Sequence, residues 1–178
     1  MEHRIVTAAQ MKQIEASGAA HGLSYRQMME NAGQAVWREL ALRCPQPGRL
    51  LVVCGKGNNG GDGFVTARAA AQAGWQVWVL LAEGEPCTPD AQANWQLLAS
   101  MQRVQLCTLD PLPEHPFTAA VDALYGTGFH GTLRPQGAAA CACWNAAAGT
   151  APWSLLQTCP ADAMQTPEPP PPGRCGPM

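Results

Sequence analysis

Charge is scarce in this chain: only 13% of its 178 residues are Asp, Glu, Lys or Arg, and they balance to −2. Its 11 Lys and Arg are scattered rather than clustered. That argues against a phosphate-backbone binder, whose affinity comes from grouped cations, so nucleic acid is excluded as a partner. No segment approaches the ~20 consecutive apolar residues that a bilayer span requires. The opening Met1-Glu2-His3-Arg4 lacks the basic-then-apolar pattern of a secretory signal. A soluble, cytoplasmic chain without membrane contact is expected. The eight cysteines contain no Cys-x-x-Cys, and the four histidines lie far apart. Neither a zinc ligand set nor a redox dithiol can therefore assemble locally, and reduced, scattered thiols are expected. Cys141-Ala142-Cys143 is the only close pair.

What the chain does have is apolar residue, at 47%, and glycine, 18 in all, enough for one domain with a real core. Thr7 with Gln10 and Ser24 with Gln27 have the Ser/Thr-x-x-Gln spacing that caps a new helix. Two helices follow: one from about Ala8 to Ala20, stopping near Gly22, and one carrying Met28, Met29, Ala32, Val36 and Leu40 on an apolar face. Leu50 to Cys54 is a short apolar run ending in glycine, as a buried parallel strand would. A helix from Phe64 to Ala73, a strand over Gln76 to Leu81, and a helix from Pro89 to about Met101, with Thr88 as its cap, come next. Val104 to Cys107 and Ala119 to Leu124 read as further strands, separated by the proline-rich turn Pro111 to Pro116. This alternation predicts an α/β fold, a doubly wound parallel sheet covered by helices on both faces, with ligands at the carboxyl ends of the strands.

Both glycine-rich stretches fall at such ends. The first is Gly55-Lys56-Gly57-Asn58-Asn59-Gly60-Gly61-Asp62-Gly63. Glycine lets the backbone take positive φ and lets N–H groups approach a ligand without a Cβ between them. With the positive end of the following helix, those donors favour phosphate or another anion, where an ordinary tight turn would need fewer glycines. Gly55, Gly57 and Gly60 satisfy Gly-x-Gly-x-x-Gly, although the nearest acidic partner, Glu83, comes later than usual. No Gly-Lys-Ser/Thr closes the loop, so a phosphoryl-transfer loop is disfavoured. The second stretch runs from Val121 through Asp122, Ala123, Leu124, Tyr125, Gly126, Thr127, Gly128, Phe129, His130, Gly131 and Thr132 to Arg134. A carboxylate inside an apolar strand is costly unless a cation or donors meet it. Asp122 and Asn59 offer hard oxygens to an alkali or alkaline-earth cation; alternatively, Asp122 accepts N–H bonds from its own turn. Of the histidines, His130 alone sits in a candidate loop; His3, His21 and His115 read as surface or turn residues. Tyr125 and Phe129 flank the loop, with core packing as their ordinary use.

Three blocks together, Met28-Met29-Glu30-Asn31-Ala32-Gly33, Gly55 through Arg68, and Val121 through Gly128, resemble the YjeF N-terminal domain family, the NAD(P)H-hydrate epimerases. The resemblance covers roughly residues 5 to 150. It implies a Rossmann-like three-layer α/β/α sandwich that interconverts the R and S forms of hydrated NADH and NADPH (NADHX and NADPHX), so that an ADP- or ATP-dependent dehydratase can restore the cofactor. It also implies that Asn58, Asn59, Gly60, Gly61 and Asp62 cradle the hydrate and that Gly126, Thr127, Gly128, Phe129, His130, Gly131 and Thr132 form the facing loop. Asn59 and Asp122 are implied as ligands of K+. No catalytic acid or base is assigned, and a homodimer is left open.

In this family a later strand ends in Asp-x-Pro-Ser-Gly, with an acidic ligand contact and a further potassium-binding serine. The motif does not occur here. The chain instead reads Pro152-Trp153-Ser154-Leu155-Leu156-Gln157-Thr158-Cys159-Pro160-Ala161-Asp162-Ala163-Met164, and neither Ser154 nor Asp162 has the required neighbours. From Pro152 onward the chain holds half of its prolines, including Pro169 to Pro172, and no basic residue stands between Arg134 and Arg174. Residues 1–150 are accordingly expected to be an incomplete epimerase-type domain lacking its C-terminal strands. Residues 151–178 are expected to be a proline-rich, aberrant or disordered tail produced by a reading-frame slip or truncation, which puts activity in question. Two rival functions remain: an NAD(P)-dependent oxidoreductase, and a non-catalytic nucleotide-binding or interaction module on the same fold.

Overall fold

The computed structural model describes residues 6–109, 116–151 and 153–156. Helix α1 (Ala8–Ala20) starts with the expected reciprocal cap. The Gln10 N–H donates to Thr7 Oγ1 at 3.2 Å, and the Thr7 N–H donates to Gln10 Oε1 at 2.8 Å. It stops where Gly22 takes φ +91°. None of its residues is buried, so α1 is held at the surface. Helix α2 (Tyr25–Arg43) begins at Ser24, whose Oγ accepts the Gln27 N–H at 3.1 Å. Its buried face is Met29, Gly33 and Leu40, rotated slightly from the expected stripe, which leaves Ala32 exposed.

Strands β1 (Arg49–Cys54), β2 (Gln76–Leu81), β3 (Val104–Cys107), β4 (Ala119–Ala123) and β5 (Trp153–Leu156) form one sheet in the order β3-β2-β1-β4-β5. All pairings are parallel, with Val52 level with Val79 on one side and Val121 on the other. Helices α3 (Asn58–Gln72), α4 (Pro89–Ala99) and α5 (Pro135–Thr150) provide the connections and cover. Strand alternation divides the core. Leu50, Val52 and Cys54 pack with Leu40, Phe64, Ala91 and Leu98 of α2, α3 and α4, whereas Leu51 and Val53 pack with Ala140, Cys143 and Trp144 of α5. The result is the expected three-layer sandwich.

Several expectations change. Helix α3 starts at Asn58, six residues earlier than the alanine-rich run suggests, so Gly60, Gly61 and Gly63 are helical rather than loop residues. None of the five glycines from Gly55 to Gly63 has positive φ. Thr88 stands at the N-cap of α4, but its buried hydroxyl makes no capping bond, and Pro89 at the first helical position sets the start instead. The expectation that strands stop before residue 150 is corrected by β5, whose Leu156 is level with Asp122. A run as short as Trp153-Ser154-Leu155-Leu156 carries little periodic signal, and its pairing with β4 identifies it. His3, His115, most of the 111–116 turn, Asp162 and the rest of the proline-rich tail lie outside the described residues.

Candidate functional site

The sheet order places a switch point between β1 and β4: the chain leaves β1 for α3 on one face and leaves β4 for α5 on the other. Crevices at the carboxyl edge of such a sheet are where ligands bind. Close backbone contact closes the base of this one. The Gly55 N–H donates to Ala123 O at 3.1 Å. A Cβ on Gly55 would lie 2.0 Å from Leu124 O, and one on Gly60 would lie 1.8 Å from Gly55 O. The glycines are therefore required by contact between the two strand tips and the first turn of α3, not by unusual backbone angles.

Above this base is a cleft of about 770 Å³. Lys56, Gly57, Asn58, Asn59 and Asp62 line one wall, and Leu124 through Phe129 with Arg134 line the other. Glu83 and Cys87 follow β2, and Val6, Thr7, Ala8, Met11 and Glu15 of the α1 region, with Ala32 and Val36 of α2, complete it. The two glycine-rich segments meet, since a Cβ on Gly126 would lie 3.3 Å from Asn59 Cβ and 3.4 Å from Asn59 Oδ1. The first turn of α3 carries no acidic residue and its N-cap, Gly57, supplies no side-chain cap. Its N–H groups and Lys56 thus offer positive potential to an anion. On the second wall the rings of Tyr125 and Phe129 pack with centroids 4.3 Å apart and planes tilted by 35°.

Of the residues singled out in the sequence, Asn58, Asn59, Asp62, Gly126, Thr127, Gly128 and Phe129 line the cleft. Gly60 and Gly61 lie behind the lining, in α3, with Gly61 against Met29. His130, Gly131 and Thr132 are exposed and lie outside the lining. The chain turns away there at Gly131, with φ +103°. Asp122 is 5% exposed and lies beneath the surface of the cleft. Its Oδ1 accepts the Leu124 N–H at 2.8 Å, the local turn bond weighed above. Burial raises the Asp122 carboxyl above its ordinary range, and that N–H partly offsets the rise.

The sequence alone did not reveal a polar bridge across the cleft. Glu83, from the tip of β2, accepts the Tyr125 hydroxyl at 3.0 Å and pairs with Arg134 Nε at 3.0 Å. Arg134, the cation that closes the second glycine-rich stretch, and Glu83, the first acidic residue past β2, are the signals that could have pointed to it. Burial, followed by the Glu83 contact, raises the Tyr125 phenol, so it serves as a donor. Burial also raises the thiols of Cys54 and Cys143 and pushes that of Cys107 up to about 12, so none is a ready nucleophile. Among the described residues, no three His, Cys, Asp or Glu side chains gather as a metal cluster, and no helix is long and apolar enough to cross a membrane.

A parallel sheet in this order, with a glycine-dependent first turn and a cleft at its switch point, defines a Rossmann-like α/β domain. The chain belongs to the family described as YjeF-related protein N-terminus, whose family model matches residues 25–155. It is 39% identical over 140 residues to the NAD(P)H-hydrate epimerase of Rhodobacter capsulatus, covering 70% of this chain and 62% of that protein. It is 37% identical over 153 residues to the protein of the same name from Roseobacter litoralis, covering 72% and 66%. Its likeness to the bifunctional NAD(P)H-hydrate repair enzyme Nnr of Coxiella burnetii is 35% over 133 residues, covering 70% of this chain and 26% of the other. The chain thus spans less than two thirds of the length of these curated relatives. The crystal structure of the yeast protein ynu0 shares the fold, with a TM-score of 0.74 at 22% identity, covering 86% of this chain and 70% of that one.

Proposed function

We propose that the domain is an NAD(P)H-hydrate epimerase, acting on NADHX and NADPHX in the cytoplasm ahead of a separate ADP- or ATP-dependent dehydratase. The observation that carries this reading is the convergence of Asn59 and Gly126 in one nucleotide-sized cleft, with the first turn of α3 at one side and the Tyr125–Phe129 pair at the other. Lys56 and the α3 N–H groups would hold the pyrophosphate, and Gly126 to Phe129 would face the hydrated ring. Epimerisation breaks the bond from ring carbon to hydroxyl, with the ring-nitrogen lone pair assisting and a proton delivered so that water leaves. Water then adds to the opposite face and gives up a proton. Chromatographic exchange of R and S NADHX tests this reading. An absorbance change from hydride transfer would favour the oxidoreductase, and ligand binding without exchange would favour the non-catalytic module.

K+ fits the donor chemistry beneath this cleft. Asp122 is a buried carboxylate with one hydrogen bond among the described residues, and Asn59 adds a neutral oxygen at the meeting of the two segments. Such an ion would neutralise a charge that the apolar strand does not. Replacing tetramethylammonium with K+ at constant ionic strength is expected to stabilise the domain by about 1.4 kcal/mol at ten times Kd, or about 3 °C in Tm. Asp122→Asn retains the acceptor for Leu124 and should abolish the response. A natural chain whose melting ignores K+ would remove the ion from the site.

The chain departs from its family within β5. The family match ends at residue 155, and the chain goes on as Gln157-Thr158-Cys159-Pro160-Ala161-Asp162, without the Asp-x-Pro-Ser-Gly that the resemblance implies. The genetic code offers a specific account. In the frame that joins the third base of each codon to the first two of the next, Gln157 and Thr158 give Asp or Asn. Thr158 and Cys159 give Met, Leu or Val, and Cys159 and Pro160 give Pro or Ser. Pro160 and Ala161 allow Ser, and Ala161 and Asp162 allow Gly. The same frame turns Trp153 and Ser154 into Val whenever Ser154 uses a TCN codon. A Val followed, four codons on, by Asp-x-Pro-Ser-Gly is thus compatible with residues 153–162 in that frame. Loss of one nucleotide near codon 152 would account both for the missing motif and for the sudden enrichment in proline.

A further inference from the structure

We infer that Glu83 sets the preference between hydrated NADH and hydrated NADPH by occupying the place where the adenosine ribose 2′ position would lie; this rests on the proposed reading of the cleft as a dinucleotide site. The strand tips carry the argument. β2 neighbours β1, and Glu83 follows the end of β2 by two residues. The Ala82 N–H donates to Cys54 O at 3.0 Å, which extends the pairing to the edge of the cleft, and Gly84 at φ +92° turns the chain there. The Cys87 N–H donates to Lys56 O at 2.8 Å, tying the segment after β2 to the glycine turn. In a nucleotide held by its pyrophosphate at the first helix, the adjacent strand tip meets the ribose, and a carboxylate there accepts from the 2′-hydroxyl. The spacing of Glu83 in the sequence looked late for that role; the sheet brings it to the cleft.

The carboxylate is fixed in orientation. Its side chain is 8% exposed, and Oε1 takes both the Tyr125 hydroxyl and Arg134 Nε at 3.0 Å. Oε2 has only the long 3.5 Å approach of Arg134 Nη2, which leaves acceptor capacity for a ribose hydroxyl. A 2′-phosphate would bring its own negative charge against this oxygen. Arg134, at 59% exposure, is the cation that could turn to meet such a phosphate, but Glu83 holds it. The two residues therefore oppose each other, with the carboxylate selecting the hydroxyl and the guanidinium restrained from selecting the phosphate.

The test uses the chain as it exists, with ADP-ribose and 2′-phospho-ADP-ribose as probes in titration calorimetry. The natural chain should prefer ADP-ribose by about tenfold or more. Glu83→Gln retains an acceptor for Tyr125, removes the charge and releases Arg134, so the preference should fall by about tenfold. Arg134→Gln leaves the carboxylate uncompensated, and the preference should rise. Equal affinity in the natural chain, or a preference unmoved by Glu83→Gln, would overturn the assignment while leaving the dinucleotide reading intact. Binding of neither probe by a chain with native circular dichroism would overturn the dinucleotide reading itself.

Discussion

Inserting a single nucleotide near codon 152 is expected to raise epimerase activity by about a thousandfold over that of the chain as it stands, the scale of a missing general acid–base group. The restored chain would carry an acid and a serine at the tip of β5. That strand pairs with β4 so that Leu156 is level with Asp122, and its end therefore leaves the sheet at the edge that bears the cleft. After Leu156 the present sequence continues Gln157-Thr158-Cys159. Exchange of R and S NADHX by the two chains, followed by chromatography, measures the difference. Equal activity would show that the motif is dispensable. A coding sequence giving Asn for Asp, or Arg or a stop for Gly, in the shifted frame would end the frame-slip account before any protein is made.

Gly60→Ala is expected to destabilise the domain by about 3 kcal/mol or more, at or above the upper end of ordinary overpacking, because the obstruction is backbone rather than a movable side chain. The added Cβ would lie 1.8 Å from Gly55 O, 2.8 Å from its carbonyl carbon and 3.1 Å from its nitrogen. That nitrogen is already engaged with Ala123 O, so relief requires separating α3 from the joined tips of β1 and β4. Against a usual total of about 5–15 kcal/mol, such a loss would remove a large share of the stability. Gly57→Ala is the matched control. Its Cβ would meet nothing within 4 Å, and its φ of −91° suits any residue. A loss of no more than about 1 kcal/mol, that of Ala in place of an N-cap Gly, is expected there. Urea unfolding followed by circular dichroism separates the two; equal behaviour would remove close packing as the reason for glycine at position 60.

The alternation of apolar runs and helical spacing was sufficient to predict β1 to β4, α1, α2 and α4, because each buries a face whose period can be read locally. The glycine string also points to the correct strand end, but close backbone packing, not positive φ, is what requires glycine there. The early start of α3 and the use of Gly60 as a packing surface depend on what lies opposite, and no local pattern records that. The same holds for the second loop. Gly126 to Phe129 reach the cleft and His130 to Thr132 do not, although they form one continuous polar and glycine-rich stretch.

Sequence alone determined the class of fold, the two glycine-rich segments and the family, since all three follow from residue types at short spacing along one chain. Only the tertiary structure decided which of those residues face a common space. It placed Asp122 below the cleft with its own turn as partner, added β5 to the sheet, and brought Glu83, Tyr125 and Arg134 together from three separate segments. The reason is that strand order and register set distances between residues dozens of positions apart. Those distances decide whether a carboxylate meets a backbone N–H, a guanidinium or a ligand.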